Sequence, residues 1–255
     1  MLDNIKIILV EPAHPGNIGG AARAMKTMGI TQLVLVNPLR FPDPQADWRA
    51  AGAVDVVDQA TVVTDLSEAL ANCQFVLGTS TRMRSIPWPV ISARQVGEIL
   101  SAQAQSAEVA VVFGREDSGL SNEELRLCHT HLQIPSSPVY GSLNLAMAVQ
   151  VVCYEIYQYV IGPNNLLPST RDTDDMTHIH GLGERIWDRP PASMAQMEGM
   201  MDHLEQVLYA SGFVDPDQPG NTVSRLRRVF MRQQLDDTEI QILRGMLKHI
   251  AARME

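Results

Sequence analysis

Along residues 1–161, short apolar runs alternate with amphipathic stretches. Lys6-Ile7-Ile8-Leu9-Val10, Leu33-Val34-Leu35-Val36, Phe75-Val76-Leu77-Gly78 and Glu108-Val109-Ala110-Val111-Val112-Phe113 are continuous apolar runs, as expected of strands buried on both faces of a parallel sheet. Leu132-Gln133-Ile134-Pro135 is a further short strand, and residues 54–57 and 61–63 read as minor strands or turns. Helical spacing covers residues 17–28, 48–52, 66–71, 93–104 and 122–128, the last opened by a capping-box pair, Ser121 and Glu124. The stretch from residue 142 to 161 is apolar nearly all round, so as a helix it must pack on two surfaces at once. This alternation predicts an α/β fold with a parallel sheet.

The chemistry gathers where strands give way to helices, because in open α/β sheets ligands lie beyond the carboxyl ends of the strands. The strand ending at Phe113 stops abruptly at Gly114-Arg115-Glu116-Asp117-Ser118-Gly119-Leu120. A second loop of small residues, Ser136 to Asn144 through Gly141, Ser142 and Leu143, opens the long helix, with Ser142 or Asn144 available as its cap. Thr79-Ser80-Thr81-Arg82 follows the strand at Phe75, and Ile86-Pro87-Trp88-Pro89 beyond it holds too much proline for a helix. Taken singly, these glycines make turns and Ser142 is a cap; taken together, the loops frame a ligand cleft. The first helix starts with Gly16-Asn17-Ile18-Gly19-Gly20-Ala21-Ala22, which leaves its backbone open to close approach. That spacing is not G-x-G-x-x-G, and the second strand ends in Asn37-Pro38 rather than an acid, which disfavours a nicotinamide cofactor.

From residue 162 to 192, proline, glycine, asparagine and aspartate mark a polar linker, with His178 and His180 read as solvated. Residues 193–255 then carry three amphipathic patterns, which predict a small helical domain with methionine as core filler and Arg225, Arg227, Arg228 and Arg232 about its middle helix. Twenty basic against 29 acidic side chains give a net charge of −9, which taken whole argues against a nucleic-acid partner. The distribution alters that reading. Arg23, Lys26, Arg82, Arg84 and Arg115 fall at ligand-side loops or helix starts, and the C-terminal arginines make a second basic group. Such local patches allow selective RNA binding. Cys73, Cys128 and Cys153 lack metal-ligand spacing, and their odd number suggests reduced, buried thiols and no metal site. His129 and His131 alternate as strand residues do. No secretory leader or membrane-length apolar run is visible, so a soluble, cytoplasmic protein is expected.

Three ordered motifs carry a resemblance. Asn17 to Arg23 with Ala24 and Met25, then Phe113-Gly114-Arg115-Glu116 with Gly119-Leu120, then Ser142-Leu143-Asn144-Leu145-Ala146 resemble the SPOUT (SpoU-TrmD) RNA methyltransferases, in the SpoU branch. The resemblance implies a deep trefoil knot at the cofactor region, a homodimer whose sites are completed across the interface, and S-adenosylmethionine as methyl donor. It implies that Thr79, Ser80, Thr81, Gly114, Gly119, Ile134, Ser142 and Leu143 contact the donor. Arg23 takes the catalytic position; arginine stays protonated, so it is read as stabilising the alkoxide or recruiting a phosphate. Asn17 and Ser142 are expected to place Arg23 and the acceptor, while Asn144 and Glu116 shape the site. Glu116 is also a possible base, unless it pairs with Arg115. RNA contacts are expected from Arg23, Arg82, Arg84, Arg115, Arg225, Arg227 and Arg228. Met1 to Ile5, Gly29-Ile30-Thr31, Leu77-Gly78-Thr79-Ser80 and Ile86 to Pro89, with the helical C-terminal extension, are similar to enzymes that methylate the ribose 2'-hydroxyl of cytidine or uridine at nucleotide 32 of the tRNA anticodon loop. Alternatives are a SpoU-type enzyme acting on ribosomal RNA or another tRNA position, and a non-catalytic RNA-binding relative.

Overall fold

The computed structural model describes residues 1–80, 88–162 and 189–254. In chain order its elements are β1 (Ile5–Val10), α1 (Pro15–Thr27), β2 (Gln32–Val36), α2 (Pro44–Ala50), α3 (Val54–Asp58), β3 (Thr61–Val63), α4 (Leu66–Leu70), β4 (Phe75–Thr79), β5 (Val90–Ser92), α5 (Val96–Gln103), β6 (Val109–Phe113), α6 (Asn122–Arg126), β7 (Thr130–Gln133), α7 (Leu145–Ile161), α8 (Met194–Ala210), α9 (Thr222–Gln233) and α10 (Asp237–Ala251). Among the described residues the strands form one seven-stranded sheet, ordered β3-β2-β1-β6-β4-β7-β5. Every pairing in it is parallel. The central strands read as continuous apolar runs because both faces are covered. Ile7, Leu9, Val111 and Phe113 point into one core, with α1, α2, α5 and α7. Ile8, Val10, Ala110 and Val112 point into the other.

Two segments differ from expectation. Residues 54–57 are helical rather than extended, since one turn at α3 suffices to bury Val56 and Val57. Short apolar runs of this length do not distinguish the two states. Strand β5 was hidden by the prolines before it; it is a three-residue strand that, among the described residues, stands at the sheet edge paired to β7, the position where proline-rich flanks are tolerated.

The C-terminal helices close the second face. Met194, Met197, Met200 and Met201 of α8 join the buried cluster that holds Val34, Val76 and Val112. Backbone hydrogen bonds from Met194 to Cys73 (3.1 Å) and from Ala195 to Ala71 (3.3 Å) seat the start of α8 on the turn after α4. The helical segment expected as a satellite thus lies against the sheet, with unbranched methionines filling the irregular seam.

His129 and His131 lie inside rather than on a strand surface: His131 stacks on Trp88 with ring centroids 5.7 Å apart, and His129 Nδ1 accepts the Val76 N–H at 3.1 Å. Burial pushes the His129 imidazole down from 6.5 to about 4. Below pH 6.5 the unfolded chain therefore binds a proton that the folded chain refuses, and stability present above that pH falls by up to about 1.4 kcal/mol per unit until the folded value is reached. Urea midpoints should decline through this window, and His129→Asn, which keeps an acceptor for Val76 without titrating, should flatten the decline. Burial also pushes the thiols up, Cys73 to about 11 and Cys153 to about 12, and all three cysteines are unpaired.

Candidate functional site

A cleft of about 330 Å³ opens at the carboxyl ends of β4, β6 and β7. Thr79, Ser80, Gly114, Gly119, Ile134, Ser142 and Leu143, seven of the eight residues expected at the methyl donor, line it together with Phe113, Leu132, Leu145 and Ala148. The eighth, Thr81, lies outside the described residues, as do Arg82 and Arg84. Two backbone features shape the cleft. Gly114 has no room for a side chain, because a methyl there would stand 2.1 Å from the carbonyl carbon of Gly119 and 2.2 Å from the Leu120 nitrogen. Gly119 turns the loop back with φ of +71°, so that Arg115 and Gly119 exchange backbone hydrogen bonds at 3.0 and 3.3 Å. A cleft with apolar walls at Phe113, Leu132, Leu145 and Ala148 and polar edges at Thr79, Ser80 and Ser142 fits a nucleoside carrying an amino acid, and so fits S-adenosylmethionine.

Beside the cleft, three expected residues from three distant parts of the chain form one network. Asn17, in the first turn of α1, donates from Nδ2 to Glu116 Oε1 at 2.9 Å, and its Oδ1 accepts from Asn144 Nδ2 at 2.9 Å. Asn144 is also the cap of α7, its Oδ1 accepting the N–H groups of Ala146 at 3.0 Å and Met147 at 3.4 Å. Ser142 lies two residues before this cap and lines the cleft. Glu116 accepts two further bonds, from the backbone N–H of Ala13 at 3.0 Å and of His14 at 3.3 Å. Burial pushes its carboxyl up, but the Asn17 amide and these N–H groups outweigh that and hold it below the usual range. A carboxylate so engaged holds protons weakly. Glu116 thus ties Asn17 to the turn that precedes α1.

Arg115 does not reach Glu116. Its guanidinium is clamped between Glu11 (Nε to Oε2, 2.8 Å) and Glu124 (2.9 and 3.0 Å), and those hydrogen bonds hold it firmly protonated. Glu124 also closes the expected capping box with Ser121. This clamp was invisible in sequence, since its partners stand 104 and 9 residues away; the available signal was an acid, Glu11, directly after a buried strand. Arg23 is the contrast. It is exposed on α1 and makes no hydrogen bond or ion pair among the described residues. In α9, Arg225 is exposed, whereas Arg227 forks onto Glu198 of α8, one arm at 2.9 Å, and Arg228 is half-buried. Among the described residues no group of three or more His, Cys, Asp or Glu side chains could hold a metal, and no helix is long and apolar enough to cross a membrane.

Comparison with known proteins agrees with this arrangement. Residues 4–154 match the SpoU rRNA Methylase family, and residues 195–255 match the C-terminal domain of the tRNA methyltransferase TrmJ. The chain is 47% identical over 251 residues to a Klebsiella pneumoniae protein named tRNA (cytidine/uridine-2'-O-)-methyltransferase TrmJ, covering 98% of this chain and 97% of that one. It is 48% identical over 250 residues to the protein of the same name from Photorhabdus laumondii, covering 98% of each. The crystal structure of TrmJ from Z. mobilis is similar to it with a TM-score of 0.78 at 32% identity, covering 96% of this chain and 98% of that one. With both its parts matched and 98% of its length aligned, the chain belongs to the SpoU methylase family, in the TrmJ group.

Proposed function

We propose that the protein transfers a methyl group from S-adenosylmethionine to the ribose 2'-hydroxyl of cytidine or uridine at nucleotide 32 of the tRNA anticodon loop. The observation that carries this reading is the juxtaposition of the cleft with the Asn17, Glu116 and Asn144 network at the start of α1, the helix that presents an exposed Arg23 further along. S-adenosylmethionine supplies an already activated methyl group, so the chain must position the acceptor and ease loss of its proton. Thr79, Ser80, Gly114, Ile134 and Leu143 hold the donor, largely through backbone. Asn17 and Ser142 direct the acceptor ribose, and Glu116 fixes Asn17. Arg23, exposed and without an ion pair among the described residues, stabilises the alkoxide as it forms. Among the described residues, Arg23 and Arg225 are the expected RNA-contacting arginines that stand exposed, and they meet phosphate; Arg115 acts by bracing the cleft loop.

The homodimer is part of the proposal. Met147 and Tyr154, one heptad apart on α7, are 62% and 46% exposed, the second surface that an all-apolar helix needs covered. The trefoil knot that the family resemblance implies is likewise part of the proposal.

Methyl transfer from labelled donor to an unmodified tRNA transcript tests the reading, with a single 2'-deoxy substitution at nucleotide 32 as control. Transfer that vanishes with that one hydroxyl is expected. Transfer that persists would move the target to another nucleotide, and activity only on ribosomal RNA would favour the other SpoU substrates.

A further inference from the structure

The seam between α1 and α2 carries a pair of side chains that the methyl-transfer reading does not use. Trp48 on α2 is 75% exposed, and the Arg49 guanidinium carbon lies 5.4 Å from the centroid of its indole ring. Arg49 is exposed and makes no hydrogen bond or ion pair among the described residues. A single exposed aromatic is ordinary; the position of this one is not. Helix α1 is gripped on two sides: a methyl at Gly19 would stand 2.0 Å from the Ala46 carbonyl oxygen of α2, and one at Gly20 would stand 2.9 Å from Cβ of Ala146 on α7. At about 100° per residue, Arg23 falls between these two lines on the helix surface. Gly16, two turns before Arg23 on nearly the same line, has its Cβ position 3.4 Å from Cγ of Arg49. The Arg49 and Trp48 pair therefore flanks the strip of α1 that carries Arg23, on the side opposite Asn17 and Asn144.

We infer that Trp48 and Arg49 form a stacking platform for an unpaired nucleobase of the tRNA, next to the nucleotide whose ribose lies at Arg23. The inference rests on the tRNA reading above. Bases in single-stranded loops are splayed out and recognised on aromatic faces and guanidinium planes, and any base offers such a face. Arg49 steadies the indole and meets the phosphate of the stacked nucleotide.

The test compares wild type, Trp48→Ala and Trp48→Phe for binding of an unmodified tRNA transcript, for kcat and KM of methyl transfer, and for mass in solution. Loss of one stacked base predicts a roughly 5- to 150-fold weaker tRNA affinity and a matching rise in KM for Trp48→Ala. S-adenosylmethionine affinity and kcat at saturating tRNA should stay at wild-type levels, and Trp48→Phe should recover most of the tRNA affinity. Equal tRNA affinity in Trp48→Ala and wild type overturns the platform and leaves methyl transfer standing. Weakened binding accompanied by dissociation into monomers also overturns it, since Trp48 then belongs to an interface between copies. A wild-type protein that binds tRNA without transferring methyl refutes the reaction, and the platform is then judged on binding alone; a wild-type protein that binds no tRNA overturns both.

Discussion

Replacing Arg23 by alanine lowers kcat by roughly 100- to 1,000-fold, the scale expected for removal of one electrostatic group aimed at developing charge, while S-adenosylmethionine binds as before. The separation follows from where the residue sits. Arg23 is exposed on α1 and makes no hydrogen bond or ion pair among the described residues, so its loss should change fold stability little. It is also absent from the residues lining the donor cleft. Arg23→Lys keeps the charge but not the planar fork, and should restore only part of the rate. Single-turnover transfer together with calorimetric titration of the donor reads both quantities. Near-wild-type turnover in Arg23→Ala would remove the residue from the chemistry and leave the cleft assignment intact.

The second large effect lies on the other side of the reaction. Gly114→Ala should weaken S-adenosylmethionine binding by about 100-fold or more and cost the fold about 1–3 kcal/mol, the usual penalty of forcing an extra methyl into a packed site. The obstacle is backbone on both counts, the Gly119 carbonyl carbon at 2.1 Å and the Leu120 nitrogen at 2.2 Å, so no side chain can rotate aside. Relief requires opening the hydrogen bonds between Arg115 and Gly119, which moves the cleft loop itself. Gly52→Ala is the matched control, since nothing stands within 4 Å of a methyl there. Donor titration and urea midpoints on both variants decide the matter; unchanged donor affinity in Gly114→Ala would place the methyl donor elsewhere.

The parts of the fold legible in the sequence were those encoded by neighbours in the chain. The apolar runs at β1, β2, β4 and β6 and the capping pair Ser121 and Glu124 each state their structure within a few residues. The loops at Gly114 and Ser142 could be assigned to one cleft because strand ends of a parallel sheet share an edge. What could not be read depends on pairs brought together only by folding. Glu116 was open to pairing with Arg115 because the two are adjacent, yet successive side chains diverge, and each found partners across the molecule. Arg225, Arg227 and Arg228 read as one basic patch, but helical rotation turns Arg227 away from Arg225, and Glu198 on a different helix takes Arg227. The docking of α8 was hidden for another reason: methionine spacing announces a buried face without naming what buries it.

The place of β7 has a consequence for how the molecule comes into being. Both edges of β7 are occupied, by β4 on one side and β5 on the other, so a chain synthesised only as far as β6 lacks the strand that joins them. Such an intermediate exposes unpaired main-chain edges, which solicit pairing from other chains. Because β7 and the loop after it also furnish Leu132, Ile134, Gly141, Ser142 and Leu143 to the cleft wall, the pocket matures only when this late insertion is complete. A small molecule that needs this wall can therefore be held only by a chain synthesised past Leu143, so its binding reports that the C-terminal part of the sheet is in place.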